Sequence, residues 1–292
     1  MESFGVGTQT TFVNCEITNN HLISFATNLA CLYVRAFLEE KGLKTAQFIQ
    51  DNPPNIYDLV DDILSLVDDI VVFYVDTLNY FAVRVITHEI KKSAPEKRVI
   101  YFGSLITDQF EYILSSTQVD ICVLSNPEKN IYELLRSDPE NWPIQHGVAL
   151  KRDGKIVSKH DGTVTDHLPS PYISRIVPAD RAQRFGILIS RNCGFGSGYY
   201  CSMNAVQNDL EFIRNAVTQK EMCVPLIAEN VTSYPKFYDF LLLLKNYPFT
   251  YQSCINISCL TDELIDRLAD TSFVKIKIII DNYKYFSENL KW

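Results

Sequence analysis

Residues 69–74 consist of Asp-Ile-Val-Val-Phe-Tyr, and residues 98–103 consist of Arg-Val-Ile-Tyr-Phe-Gly. Short runs of β-branched and aromatic residues are typical of strands that are buried on both faces. The intervening residues 78–93 carry apolar side chains at helical spacing. A strand, a helix and a second strand in this order predict a parallel pair, because a crossover helix returns the chain to the same end of the sheet.

The same alternation extends over residues 9–137. It predicts an α/β fold whose first part is a doubly wound parallel sheet of the flavodoxin-like or Rossmann-like kind. The predicted strands are Thr10–Glu16, Thr45–Gln50, Asp69–Tyr74, Arg98–Gly103 and Val119–Leu124, separated by predicted helices at about 23–42, 56–67, 78–93, 107–116 and 129–137.

Ligands of such sheets bind beyond the carboxyl ends of the strands. We therefore expect cofactor-binding residues where the predicted strands end, at Tyr74, Asp76, Thr77, Asn79, Gly103, Ser104, Ser125 and Asn126. Asp76 and Asn79 are equally suited to cap the third helix. For these two residues both roles stay open.

The second half of the chain predicts a hairpin, a linker and a further α/β domain. Asp153-Gly154 lies inside Gly147–Lys159 as a tight-turn pair, and His160–Ala182 is rich in proline. Four strand–helix units follow. Since a closed (β/α) barrel needs about eight, we expect a half barrel, or an open sheet that another chain completes. The predicted division is 1–140 for the first domain, 141–183 for hairpin and linker, and 184–292 for the partial barrel.

Composition limits the functions that the chain can have. A formal net charge of −8 argues against a nucleic-acid partner, and no apolar run approaches the length of a membrane span. The eight cysteines lie mainly in apolar segments and no secretory signal is evident, so we expect a cytoplasmic protein. Neither a Gly-x-Ser-x-Gly nor a His-Glu-x-x-His motif is present, and no catalytic residue is predicted.

The order of these features resembles that of cobalamin-binding radical-SAM proteins over about 280 residues. The first helix with its terminal Gly42, the third strand Asp69–Tyr74, the fourth strand Arg98–Gly103 and the fifth, Val119–Leu124, are similar to that family's cobalamin-binding domain. Leu168-Pro169-Ser170-Pro171-Tyr172 is similar to the connector into its radical domain. The resemblance implies cobalamin as a cofactor.

The loop that would hold the family's iron–sulfur cluster departs from the pattern. The family uses three cysteines spaced C-x3-C-x2-C, whereas positions four and seven after Cys193 are Ser197 and Tyr200. With one residue inserted, Cys201 takes the third position, and the middle ligand is still missing. Cys193 and Cys201 are therefore the predicted metal ligands, and two thiolates hold a 4Fe–4S cluster poorly. This argues against cluster and SAM chemistry.

These observations leave three hypotheses. The first is a degenerate, non-catalytic pseudoenzyme that acts as a binding or scaffolding partner in peptide or natural-product maturation. In this hypothesis another chain, in a homo- or hetero-oligomer, covers the partial barrel. The second is an active radical-SAM methyltransferase with a non-standard cluster site. The third is a cobalamin carrier or sensor. The bulky Phe102 is expected to crowd a cobalamin tail and so to weaken the third.

Overall fold

The structure, a computed structural model, describes residues 10–14, 21–49, 55–66, 69–77, 79–159, 168–177, 179, 182–191, 199–217, 222–228 and 230–279. The contacts divide the chain into two compact units, Met1–Pro169 and Ser170–Trp292. In the described ranges, no helix combines the length and the apolar character that crossing a membrane requires.

A seven-stranded sheet forms the centre of the first unit. Its parallel strands are β1 (Thr10–Asn14), β2 (Thr45–Ile49), β3 (Ile70–Tyr74), β4 (Arg98–Phe102) and β5 (Ile121–Val123). They are arranged in the order β2-β1-β3-β4-β5. This is the flavodoxin-like order, in which the chain reverses direction of travel between β1 and β3. The α/β class and the parallel sheet predicted from the sequence are confirmed.

Helices cover both faces of this sheet. They are α1 (His21–Glu40), α2 (Ile56–Ser65), α3 (Tyr80–Ser93), α4 (Ser104–Ser116) and α5 (Pro127–Leu135). Successive strand residues point to opposite faces, so Val71 and Phe73 pack with α2, α3 and α4, whereas Ile70 and Val72 pack with α1 and α5. This two-sided burial explains why β3 is apolar at every position.

The predicted hairpin is part of the first sheet. Its strands are β6 (Val148–Arg152) and β7 (Lys155–Lys159), and β6 pairs antiparallel with β5. The sequence-based division ended the first domain at residue 140, whereas the first compact unit extends to Pro169. The reason is that Val148, Ala149 and Leu150 are buried against β5.

The second unit contains a smaller parallel sheet. Its strands are β8 (Ile187–Leu188), β11 (Met222–Ile227), β12 (Phe249–Asn256) and β13 (Phe273–Ile279), in the order β13-β12-β11-β8. A helical turn, α6 (Ala182–Phe185), precedes β8, which is therefore shorter than the predicted strand Phe185–Ser190. The longer helices are α7 (Met203–Ala216), α8 (Phe237–Leu244) and α9 (Asp262–Ala269). The half barrel stays a prediction.

Candidate functional site

The carboxyl ends of β3, β4 and β5 lie at one edge of the first sheet. Helices α3, α4 and α5 begin at this edge, because each follows its strand after a short turn. The predicted residues after these strands are therefore brought to a common edge. It adjoins the β1–β3 junction, where the strand order of a doubly wound sheet opens a crevice.

Asp76 and Asn79 form a closed turn before α3. The Asp76 N–H donates to Asn79 Oδ1 at 2.9 Å, and the Asn79 N–H donates to Asp76 Oδ1 at 3.0 Å. Asn79 Nδ2 also donates to the Tyr74 carbonyl at 2.9 Å. Both side chains are buried. The structure thus gives Asp76 and Asn79 the turn-forming role, and it leaves Thr77 exposed on the tip of the turn.

Gly103 joins β4 to α4 where the backbone passes very close to the end of β3. Its φ is +131°, and a Cβ atom at this position would lie 2.3 Å from the Val75 carbonyl oxygen. No side chain caps the start of α4. Its first residue, Ser104, is exposed. The N–H groups of Leu105 and Ile106 already donate to the Val75 and Gly103 carbonyls, at 3.4 and 3.1 Å. The exposed Ser104 hydroxyl is therefore the group that the start of α4 offers to a ligand with oxygen acceptors.

Ser125 and Asn126 complete the edge after β5. Asn126 has φ +44° and precedes α5 without a capping hydrogen bond from its side chain. Asn130 Nδ2 donates to the Ser125 carbonyl at 2.6 Å and holds this turn in place. Ser125 Oγ is almost fully buried and makes no hydrogen bond with any described residue. A Cβ atom on Gly147 would lie only 2.3 Å from this hydroxyl oxygen, so Ser125 Oγ faces the start of β6 and is closed off from the open part of the edge.

The side chain of Phe102, the last residue of β4, is buried. It is 2% exposed and packs in the core between the sheet and helices α1 and α5, edge-on to Tyr74 at 5.3 Å between ring centroids. Strand alternation turns the ring into the core, and the expectation that Phe102 crowds a cobalamin tail stays a prediction.

The second unit carries the predicted metal ligands. Cys193, like all of 192–198, lies outside the described residues. The short strands β9 (Ser190–Arg191) and β10 (Tyr199–Tyr200) pair antiparallel on either side of that segment. Cys201 follows β10, is 4% exposed, and its carbonyl accepts a hydrogen bond from the Tyr234 hydroxyl at 2.6 Å. Burial and the nearby Cys201 thiol raise the pKa of Tyr234 to about 12.

Among the described residues, no group of three or more His, Cys, Asp or Glu side chains is arranged to hold a metal ion. His88 lies exposed on α3 and contacts Gln118 at 3.0 Å, and His146 is exposed. The roles of Cys193 and Cys201 as metal ligands therefore stay predictions.

Sequence reasoning missed a polar cluster at the carboxyl ends of β11 and β12. Asn230 Nδ2 donates to Cys259 Sγ at 3.5 Å and Asn230 Oδ1 accepts from the Asn256 N–H at 3.3 Å. Burial alone would raise the pKa of the Cys259 thiol, but hydrogen bonds from Thr232, Asn230 and Ser258 lower it below its ordinary value. Applying the carboxyl-end rule to the second sheet would have pointed to Asn230.

No protein-family model matches the sequence, and no curated protein sequence matches it. Solved structures do match. The cobalamin-dependent S-adenosylmethionine radical enzyme OxsB, with aqua-cobalamin and S-adenosylmethionine bound, has a TM-score of 0.61 and 12% identity over 93% of this chain. The radical S-adenosylmethionine methyltransferase TsrM from Kitasatospora setae, with tryptophan and a SAM analogue, has a TM-score of 0.65 and 12% identity over 93% of this chain.

The chain spans 43% of the OxsB chain and 59% of the TsrM chain. At 12% identity the likeness shows a shared fold. The resemblance that the sequence predicted is thereby confirmed at the level of architecture: this chain has the fold of cobalamin-dependent radical SAM enzymes.

Proposed function

We propose that this chain binds cobalamin at the carboxyl edge of its first sheet and has no radical-SAM catalysis of its own. It acts as a binding or scaffolding partner of another protein in the modification of peptides or natural products. The observation that carries the cobalamin assignment is the open edge at Thr77 and Ser104, in a fold that OxsB uses with aqua-cobalamin bound.

The residues at this edge fit cobalamin by their chemistry. Cobalamin carries many amide groups and a phosphate, which accept hydrogen bonds. Thr77 and Ser104 are exposed at this edge, and their hydroxyl groups can donate hydrogen bonds to these acceptors. Phe102 packs in the core at the end of β4 and leaves Thr77 and Ser104 exposed.

These residues would hold and orient the cofactor. When bound, cobalamin supplies a cobalt centre that can carry a methyl group. The chain contributes hydroxyl donors and a turn that the Asp76–Asn79 hydrogen bonds keep rigid. Its sequence has no Asp-x-His-x-x-Gly run after β1 that would provide a histidine to the cobalt.

The sequence of the cluster loop supports the absence of catalysis. Cys193 and Cys201 are the two thiols of the segment 193–201, and Ser197 and Tyr200 take the places of the family's other ligands. A cluster that keeps one iron free for SAM needs three thiolates from the protein. Two thiolates do not meet this requirement.

The edge of the second sheet supports a protein partner. Strand β13 pairs with β12 on one side only within the described residues. Val274 and Ile278 on β13 are 62% and 49% exposed. An exposed strand edge with apolar side chains is suited to pairing with a further chain.

The test uses the full chain after reconstitution with iron and sulfide under reducing conditions. We expect corrin absorbance to co-elute with the protein in gel filtration after incubation with hydroxocobalamin. We also expect no conversion of SAM to 5′-deoxyadenosine and no methyl transfer. SAM turnover would overturn the non-catalytic assignment, and loss of all corrin absorbance on the column would overturn the cobalamin assignment.

A further inference from the structure

The two faces of the second sheet differ in burial. Along β12, residues alternate between buried and half-buried at every position. Tyr251 belongs to the buried face, and its hydroxyl donates to the Leu244 carbonyl of α8 at 3.1 Å, so helices cover this side. The other face presents Thr250, Gln252 and Cys254 and remains partly open.

Two lysines of β13 lie on the open face. Gln252 is the register partner of Lys275, and Cys254 is the register partner of Lys277. Parallel register partners project on the same side of a sheet. Lys275 is exposed and Lys277 is half-buried.

The lysines extend across the sheet toward two thiols. Burial raises the pKa of Cys254, and the positive charge of Lys277 partly offsets this. Burial likewise raises the pKa of Cys223 on β11, and a hydrogen bond with Thr250 and the charge of Lys275 act in the opposite direction. Cys254 is the register partner of Lys277, so this thiol reports on the charge of that lysine.

Among the described residues, no carboxylate pairs with either lysine. Neither Lys275 nor Lys277 forms an ion pair or hydrogen bond with a described residue. The open-face positions of β12 carry hydroxyl, thiol and amide groups, and their register partners on β11 are Cys223 and the buried Pro225, so none of these positions is a carboxylate. Two unpaired cations beside hydrogen-bonding groups and in a partly desolvated setting attract an anion.

We infer that Lys275 and Lys277 form a binding site for a small molecule that carries a phosphate or carboxylate group. Gln252, the register partner of Lys275, adds an amide group beside them. Lysine ammonium groups bind either kind of oxyanion as point charges. The site is on the second unit and does not depend on cobalamin binding by the first.

Calorimetric titration of the full chain at low ionic strength tests the site with two probes, pyrophosphate and succinate. We expect one or both to bind, and the tighter probe identifies the preferred group. Lys277→Ala should weaken binding about tenfold, which corresponds to about 1.4 kcal/mol, and Lys275→Ala should act in the same direction. Lys245→Ala is the control, because Lys245 at the end of α8 pairs with Asp270 at 3.9 Å.

Thiol reactivity provides an independent measurement. Bound anion neutralises Lys277, so saturating probe should slow alkylation of Cys254, as Lys277→Ala does without probe. Cys259 serves as the internal control, since Thr232, Asn230 and Ser258 lower its pKa. Equal binding by wild type and the lysine variants would overturn the inference. If neither probe binds and neither changes the alkylation rate of Cys254, the inference is also overturned. The two lysines would then serve to prevent another strand from pairing with the edge of the sheet.

Discussion

Gly103 lies in the candidate site and is also required for the stability of the fold. Its φ of +131° suits glycine, and a Cβ would lie 2.3 Å from the Val75 carbonyl oxygen. Gly103→Ala should therefore lower the free energy of unfolding by about 3 kcal/mol, since backbone strain and a clash with fixed backbone act together. Urea denaturation measures this change.

Gly42→Ala is the matched control for this substitution. Gly42 ends α1 at φ +82°, and a Cβ at this position would have open space around it to 4 Å. Only the left-handed strain applies there, so we expect a loss of about 1 kcal/mol. Equal losses for the two variants would contradict the close approach of Gly103 to β3.

The buried hydroxyl of Tyr101 gives the first unit a dependence on alkaline pH. It lies 2.5 Å from Thr87 Oγ1, and burial raises its pKa far above the ordinary value of 10.0. A folded-state pKa above the unfolded value means that stability is complete below pH 10 and declines as the pH rises. Between pH 8 and pH 11 the wild type should lose about 1 kcal/mol from this group.

Tyr101→Phe removes that contribution. The variant should be less stable than wild type at pH 8 by about 1 kcal/mol, because Thr87 loses its partner. The difference should shrink toward zero at pH 11, as measured by urea denaturation at both values. A difference that stays constant with pH would show that Tyr101 ionises normally in the folded protein.

The orientation of single side chains was the part of the site that the sequence predicted least well. Strand-end rules located Thr77 and Ser104 at the carboxyl edge, and the structure finds both exposed there. The rules could not decide whether Asp76 and Asn79 bind a ligand or form a turn, because Asp and Asn side chains are suited to both roles. The sequence-based reasoning considered the size of Phe102 and not the face of β4 on which it lies, and the structure finds its ring in the core.

At the level of elements, Asp120 joins a helix to two strands at the opposite edge of the sheet. Its carboxylate lies 2.7 Å from Lys91 Nζ on α3 and accepts from the Val99 N–H of β4 at 2.7 Å. The Lys91 and Asp120 side chains are 9% and 19% exposed. Asp120→Ala should cost about 3 kcal/mol of unfolding free energy, because a largely buried ammonium loses its partner.

Glu263→Ala is the comparison for that variant. Glu263 pairs with Arg267 at 2.8 Å on α9, where both side chains are about half exposed or more. A solvent-screened pair of this kind contributes at most about 0.5 kcal/mol. Chemical denaturation monitored by circular dichroism compares the two. If Asp120→Ala proved as mild as Glu263→Ala, Asp120 would not link α3 to the sheet.

Element types were predictable because each strand has a uniform local pattern, while element limits depend on tertiary contacts. Helix α4 begins at Ser104, three residues before the predicted start at 107, because the Gly103 turn against Val75 lets the helix start at once. Helix α5 likewise begins at Pro127, before the predicted 129. The pairing of β6 with β5 is a long-range contact that no local pattern contains.

At the scale of the whole molecule, the order of features along the chain predicted the architecture that OxsB and TsrM share with it. Order and spacing survive at 12% identity because they follow from the packing of parallel strands and crossover helices. Ligand chemistry depends on a few side chains, and the segment 192–198 with Cys193 lies outside the described residues. The cofactor assignment therefore needs a direct binding measurement.

The most direct test of the cobalamin assignment compares two serines at opposite edges of the first sheet. Ser104 starts α4 at the carboxyl edge, Ser93 ends α3 at the other edge, and both are exposed. Titration with hydroxocobalamin, followed by corrin absorbance, should show at least about tenfold weaker binding for Ser104→Trp and unchanged binding for Ser93→Trp. Binding that is unaffected by Ser104→Trp would contradict the account.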